Sequence, residues 1–261
     1  MSYKARKRLD HRERVVERRD KMLIRDRTSE RATVEEVFDQ TTRMVVFDML
    51  NRGILYEVNG AISSGKEAKV YWAINKEGID LAVKIYLTSS AEFKKGMVKY
   101  IEGDPRFKGV KRDTRSLMAV WAQKEFRNLR EATDARVPVP KPVAVKSNVV
   151  VMEFIGRKGI AAPSLKDIPP EDPEQAYKLL VMYVKRLYRK AKLVHGDLSE
   201  YNIMMWKGKP LIFDLSQSVS IEHPMARFML TRDLANLNRF FSRLNVNVIP
   251  IEKLEKLVVG K

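Results

Sequence analysis

Three residues in the C-terminal third of the chain carry oxygen-bearing side chains at a spacing that can do chemistry. In VHGDLSEYNIMMWKGKPLIFD, residues 194–214, Asp197 is followed by Asn202 and then by Asp214, with a hairpin pattern between the last two. One carboxylate able to accept a hydroxyl proton, beside an amide and a second carboxylate offering hard oxygen ligands, is the set that Mg²⁺-dependent phosphoryl transfer uses. Such chemistry also needs a cation for the phosphates, a carboxylate to orient that cation, and a turn of small residues to close over the phosphates. Each must lie upstream.

The cation is found first. LAVKIY places Lys84 inside an apolar strand, where a buried ammonium needs a carboxylate or phosphate to offset its desolvation. An edge strand with Lys84 facing water is the plainer alternative. A helix is expected from about Arg115 to Ala132, with Met118, Trp121, Ala122, Leu129 and Ala132 on its apolar face. Glu125 falls four residues from Trp121 and four from Leu129, within that stripe. A carboxylate on an apolar face is unusual unless paired, so Glu125 and Lys84 explain each other as an ion pair. A solvated Glu125 at the edge of the stripe is the competing reading.

The phosphate-covering turn lies before Lys84. From Ile54 the apolar period switches to two, giving three short strands separated by turn signals at Asn59-Gly60 and Lys76-Glu77-Gly78. Gly60 to Glu67, GAISSGKE, nearly matches the P-loop pattern, which makes a P-loop nucleotidase a serious rival. Two features oppose it. Glu67 stands where a Mg²⁺-binding hydroxyl is needed, and Ala68, Val70, Trp72 and Ile74 alternate as a strand where a helix should begin. A strand–turn–strand with Gly and Ser at its tip fits a kinase-type covering loop instead.

The remaining chain supplies the frame. Residues 1–32 form a basic arm rich in Arg and Lys. Thr33-Val34-Glu35-Glu36 fits a capping box, and Val34, Val37, Phe38, Met44, Val45 and Met49 continue an amphipathic helix that Gly53 stops. The loop from Thr88 to about Asp113 is far longer than an ordinary connection, which marks it as mobile or functional. Beyond the proline-rich lead-in at 138–142, a hairpin turning at Lys146-Ser147-Asn148 runs into Met152-Glu153-Phe154-Ile155-Gly156. Residues 157–171 read as a linker. Asp172-Pro173 opens a helix that continues to about Lys192, and two more helices are expected at Leu230–Leu244 and Ile251–Val258.

Composition limits the classes. There is no cysteine and there are only three histidines, which excludes a disulfide framework and makes a zinc site improbable. No apolar run approaches a membrane span and the N-terminus is charged, so a cytoplasmic protein with no membrane partner is expected. The formal charge of +17, from 50 Lys+Arg against 33 Asp+Glu, gives an attractive field for phosphate polymers.

Taken together, GAISSGKEA, LAVKIY, the WAQKEFRNL helix, VMEFIG, HGDLSEYN and IFDLSQS resemble the RIO family of atypical serine/threonine protein kinases, in particular the subgroup whose first motif reads STGKEA. The resemblance covers about residues 35–240. It implies an α+β, two-lobed protein-kinase-like fold with N-terminal helices: helix and antiparallel-sheet N-lobe at 33–155, and a small, mainly helical C-lobe at 156–261. It implies ATP as substrate and Mg²⁺, or Mn²⁺ in its place, as cofactor. Asp197 would accept the hydroxyl proton, Asn202 and Asp214 would hold the metal, and Lys84, oriented by Glu125, would hold phosphates. Ser63, Ser64, Gly65 and Lys66 would cover them, while the C=O of Glu153 and the N–H of Ile155 would take the adenine edge. His195 is expected to be structural. Family membership further implies autophosphorylation, an aspartyl-phosphate on Asp214 with ATPase-like turnover, and action on a small ribosomal subunit precursor or its RNA.

The sequence also departs from ordinary protein kinases. The metal motif is Asp214-Leu215-Ser216, no Ala-Pro-Glu segment follows, and only residues 215–261 remain beyond it. A generic peptide-kinase role is thereby weakened. Two other classes compete: a small-molecule kinase of the aminoglycoside or choline type, and a catalytically silent RNA-binding scaffold. Oligomeric state is open.

Overall fold

The computed structural model describes residues 39–65, 67–87, 97, 100–101, 104 and 113–260. The basic arm, the capping box at Thr33, Lys66 and most of the 88–113 loop lie outside the described residues.

Five strands form an antiparallel sheet: β1 (Glu57–Ser64), β2 (Ala68–Ile74), β3 (Asp80–Tyr86), β4 (Pro142–Lys146) and β5 (Val149–Glu153), in the order β1-β2-β3-β5-β4. Strand period two divides its side chains between two faces. Tyr71, Ala73, Leu81, Val83, Ile85, Val149 and Val151 form one core cluster with Val45, Val46 and Met49 of helix α1 (Gln40–Asn51). Ala68, Ala82, Tyr86, Val150 and Met152 belong to the opposite face, which packs against helix α2 (Thr114–Asp134). Lys84 has the parity of Ala82 and Tyr86, so it must point toward α2. It pairs with Val70 on one side and Val150 on the other, so β3 is a central strand and not an edge.

Three expectations are corrected. Asn59-Gly60 is not a turn: both residues lie within β1, whose register against β2 shifts between Val58 and Ala61 and again between Ala61 and Ser63. A glycine inside a strand often marks such a bulge, and here the reversal comes later, with the Gly65 N–H donating to the Ala68 carbonyl at 3.0 Å. The Met44 side chain faces solvent, and Val46 takes its place in the buried stripe of α1. That helix is capped by Asp39, whose carboxylate accepts from Thr42 N.

The 157–171 stretch is also not a bare linker. It opens with a small hairpin, β6 (Gly156–Arg157) and β7 (Ile160–Ala161), fastened to the sheet. Asp80 accepts from Trp72 Nε1 at 2.8 Å and from the Lys158 N–H at 3.2 Å, and its own carbonyl accepts from Phe154 N at 3.3 Å. Gly159 has φ +78°, and a Cβ there would stand 2.9 Å from the Trp72 ring. The connection between the two halves is thus stitched to β2 and β3.

The helical half contains α3 (Pro173–Arg189), α4 (Ala226–Arg243) and α5 (Ile251–Val259). Asp172 caps α3 by accepting from Gln175 N, with Pro173 at its first position. Two short strand pairs carry the motif residues: β8 (Leu193–Val194) with β11 (Val219–Ser220), and the hairpin of β9 (Ile203–Trp206) and β10 (Lys209–Ile212). One continuous core joins the lower face of the sheet, α2 and all three helices.

Candidate active site

A cleft of about 570 Å³ opens between the sheet and the helical half, within the usual size range of small-molecule sites. Ala82, Met152, Phe154 and Ile155 give it an apolar end, and Lys84, Glu125 and Asp214 give it a charged end. Lys84 Nζ stands 2.8 Å from Glu125 Oε1 and 2.8 Å from Asp214 Oδ1. Glu125 is fully buried and accepts a second, short hydrogen bond from the Tyr86 hydroxyl. Neither the edge-strand reading of Lys84 nor the solvated reading of Glu125 survives this geometry.

The charges follow from these distances. Burial works against the Lys84 ammonium, but the carboxylates of Asp214 and Glu125 more than offset it and hold its pKa well above the usual lysine value. Burial raises Glu125, with Lys84 pulling the other way. Burial would raise Asp214 as well, yet Lys84, the Ser216 hydroxyl and His195 together bring it down to about 2. Asp214 is therefore an anion at any physiological pH. Its backbone is left-handed, φ 57° and ψ 68°, and Ser216 Oγ donates to its Oδ1 at 2.7 Å.

Asp197 and Asn202 share a loop beside this pair. Asn202 Nδ2 donates to the Asp197 carbonyl at 2.8 Å and approaches Asp197 Oδ2 at 3.3 Å, which leaves its amide oxygen as the atom available to a cation. Phe213 joins the two loops: its N–H donates to the Asn202 carbonyl at 3.0 Å and its carbonyl lies 3.2 Å from His195 Nε2. His195 Nδ1 in turn accepts from the Asp197 N–H, which assigns the ring proton to Nε2. His195 is buried, and its two ring nitrogens both face backbone groups of the loops it joins. Gly196 has φ +80°, and a Cβ there would stand 2.9 Å from the Gln217 carbonyl. Only glycine fits.

Ser63, Gly65, Glu153 and Ile155 line the same cleft; Ser64, at the end of β1, is exposed and does not. The Ile155 carbonyl is engaged by Ala162 N at 2.9 Å. The turn after β1 leads directly into β2, so the helix a P-loop requires is absent there. Among the described residues no group of three or more His, Asp and Glu side chains could hold a metal by itself. Two protein oxygens completed by phosphate oxygens is, however, how Mg²⁺ is commonly bound in nucleotide sites.

Several residues escaped the sequence reading. Asp233 of α4 is buried and accepts from the N–H groups of Gly196 at 2.8 Å and Leu198 at 3.0 Å, so it holds the loop of Asp197 from beneath. Burial pushes its carboxyl up to about 6, against the opposing pull of His195 and those two donors. Asp233 interrupts the apolar run Leu230, Leu234 and Leu237 of α4, the same kind of signal that exposed Glu125. Glu67 also lines the cleft, and its carboxyl is raised by burial and by the nearby Asp214 and Asp197 charges. Lys124 and Asn128 of α2 are both buried and bind backbone carbonyls of residues 215–218.

A family model described as the RIO domain matches residues 69–254. Serine/threonine-protein kinase RIO1 of Caenorhabditis elegans is 44% identical over 247 residues, which is 93% of this chain and 48% of that protein. RIO-type serine/threonine-protein kinase Rio1 of Methanocaldococcus jannaschii is 43% identical over 229 residues, 88% of this chain and 78% of that one. The chain thus spans about half the length of the nematode relative and most of the archaeal one. Among solved structures, the Rio2 kinase–ADP/Mg²⁺–phosphoaspartate complex from Chaetomium thermophilum superposes with a TM-score of 0.62 at 23% identity, covering 84% of this chain and 67% of that one. It shares the two-lobed kinase-like fold.

Proposed function

The chain belongs to the RIO family of atypical serine/threonine protein kinases, and from that premise we propose that it transfers the γ-phosphoryl group of ATP in a Mg²⁺-dependent reaction. The observation that carries the reading is Lys84 held between Glu125 and Asp214 at 2.8 Å each, at the charged end of a cleft with an apolar far wall. A cation so fixed faces phosphates without needing to be ordered at the moment of reaction. Ser63 and Gly65, which line the cleft, cover the phosphates, and Glu153 C=O with Ile155 N–H takes the adenine edge.

Asn202 and Asp214 hold Mg²⁺, or Mn²⁺, through their oxygens. The donor set fits: one carboxylate that is already anionic and one amide whose nitrogen is turned to Asp197. When bound, such an ion would supply charge neutralisation to the phosphates. Asp197 accepts the proton of the attacking hydroxyl, while His195 and Asp233 keep its loop in place.

We further propose that the acceptor is the protein itself or a component of a small ribosomal subunit precursor, reached in the cytoplasm. The +17 charge supports a partner rich in phosphate. Asp214 is the candidate for an aspartyl-phosphate intermediate.

The test is incubation of the full chain with γ-labelled ATP and small-subunit particles. Hydroxylamine-labile label on the chain supports the aspartyl-phosphate; acid-stable label supports transfer to a hydroxyl. Co-sedimentation at physiological salt tests the partner. No label and no ATP turnover by the purified chain would remove the phosphoryl-transfer reading.

A further inference from the structure

The helix that carries Glu125 has a second polar face, and that face grips the backbone just beyond Asp214. Lys124 is completely buried, and its ammonium donates to the carbonyls of Ser216 at 2.8 Å and Ser218 at 2.5 Å while lying 5.0 Å over the Trp121 ring. Asn128 is four residues on, hence on the same side of the helix. It is also buried, and its Nδ2 donates to the carbonyls of Leu215 at 2.8 Å and Ser218 at 3.0 Å. Tyr100 adds another hold, its hydroxyl donating to Gln217 Oε1 at 2.6 Å and its ring meeting Trp121 edge-on.

Residues 215–217 form a single 3₁₀ turn, which satisfies the Leu215 carbonyl through the Ser218 N–H at 3.2 Å and leaves the carbonyls beyond it to other donors. Side chains of α2 supply the missing donors. Burying an ammonium is costly unless its hydrogens find acceptors, and two of those of Lys124 are spent on this one segment. On the other side of Asp214, Phe213 is bonded to Asn202 and His195. Through Glu125, α2 also fixes Lys84. One helix therefore determines both ends of the 2.8 Å contact between Lys84 and Asp214.

We propose that Lys124 and Asn128 are positioning residues: through the backbone of residues 215–218 they set where the Asp214 carboxylate stands relative to Lys84. The metal-holding segment and α2 then move as one body, and the site is assembled without a separate ordering step. This rests on the phosphoryl-transfer reading above.

The experiment is titration of the full chain with Mn²⁺, a paramagnetic stand-in for Mg²⁺, in the presence of a non-hydrolysable ATP analogue. Free ion is read by electron paramagnetic resonance. ATP turnover is measured in parallel across a Mg²⁺ series. Asn128→Ala and Lys124→Met are each expected to weaken Mn²⁺ binding by about tenfold or more, the usual effect of removing a residue that orients a metal ligand. The KM for ATP at saturating Mg²⁺ should move less than about threefold, because the apolar wall of the cleft is untouched. Met118→Ala, a cavity on the same helix that makes none of these bonds, should lower the melting temperature and leave Mn²⁺ affinity alone.

If Lys124→Met does not fold, Asn128→Ala decides. Wild-type Mn²⁺ affinity and turnover in Asn128→Ala would overturn the proposal, and so would an equal metal defect in Met118→Ala. A wild-type chain that binds neither Mn²⁺ nor the analogue would instead overturn the phosphoryl-transfer reading itself.

Discussion

The two walls of the cleft are held by different kinds of bond. On the sheet side, Lys84, Glu125 and Tyr86 are joined side chain to side chain, charge to charge, and buried. On the helical side, the loop of Asp197 is held through its backbone: Asp233 takes two N–H groups, Arg232 donates to the Gly196 carbonyl, and Asn236 donates to the Leu198 carbonyl. The first arrangement commits its functional groups to one another and suits a ligand that is always the same, the nucleotide phosphates. The second fixes the path of a loop through its backbone, beside the exposed Tyr201. It suits a variable acceptor.

Removing one member of the charged wall should break both chemistry and stability. Lys84→Ala is expected to lower ATP turnover by about 10³-fold, the scale of losing a preorganised electrostatic contact. It should also destabilise the fold by about 3–5 kcal/mol in urea titrations, because Glu125 is left buried without its cation. The other wall should separate the two effects. Asp197→Asn is expected to reduce turnover by about 10²-fold or more while leaving the melting temperature and the KM for ATP nearly unchanged. Equal stability losses in the two variants would erase the distinction drawn between the walls.

Asp233→Ala sharpens the contrast from below. It orphans two buried backbone donors, at an expected cost of about 1–3 kcal/mol in chemical denaturation. Its effect on turnover should exceed that of a core cavity of equal stability cost, since the loop of Asp197 loses its support. The smallest effect is an acid limb. Asp214 is held at about 2 against an ordinary 3.8, so its ionised form stabilises the fold above 3.8 and that contribution disappears as the pH falls toward 2. Asp214→Asn should flatten stability measured over that interval and leave the profile above it unaltered in shape.

What could be seen in the sequence follows the same division. Side chains that meet side chains leave a mark: a lysine inside an apolar strand and a glutamate on an apolar helical stripe stand out, and each calls for the other. Asp233, Lys124 and Asn128 bind backbone atoms, whose positions no residue type encodes. They are visible only as polar interruptions of the buried faces of α4 and α2, with nothing to say what they touch. The bulged course of β1 through Asn59 and Gly60 was hidden for a related reason. A pair that favours a tight turn when isolated was overridden by pairing with β2 on both sides of it. Helix α3 was legible because cap and apolar period agree at Asp172-Pro173. Helices α4 and α5 begin without a side-chain cap and were legible from their apolar period alone, which is why α4 starts at Ala226 and not at the expected Leu230.

The hairpin stitched to the sheet by Trp72, Asp80 and Lys158 bears on how long a nucleotide stays. With the strap between the halves fastened to β2 and β3, the expected route of escape for the proposed nucleotide is the opposite lip, where the Gly65 N–H is bonded to the Ala68 carbonyl. Residence time in this cleft is then a property of that lip. Loosening the strap with Asp80→Ala should open a second exit and shorten the dwell of a fluorescent ADP in stopped-flow displacement.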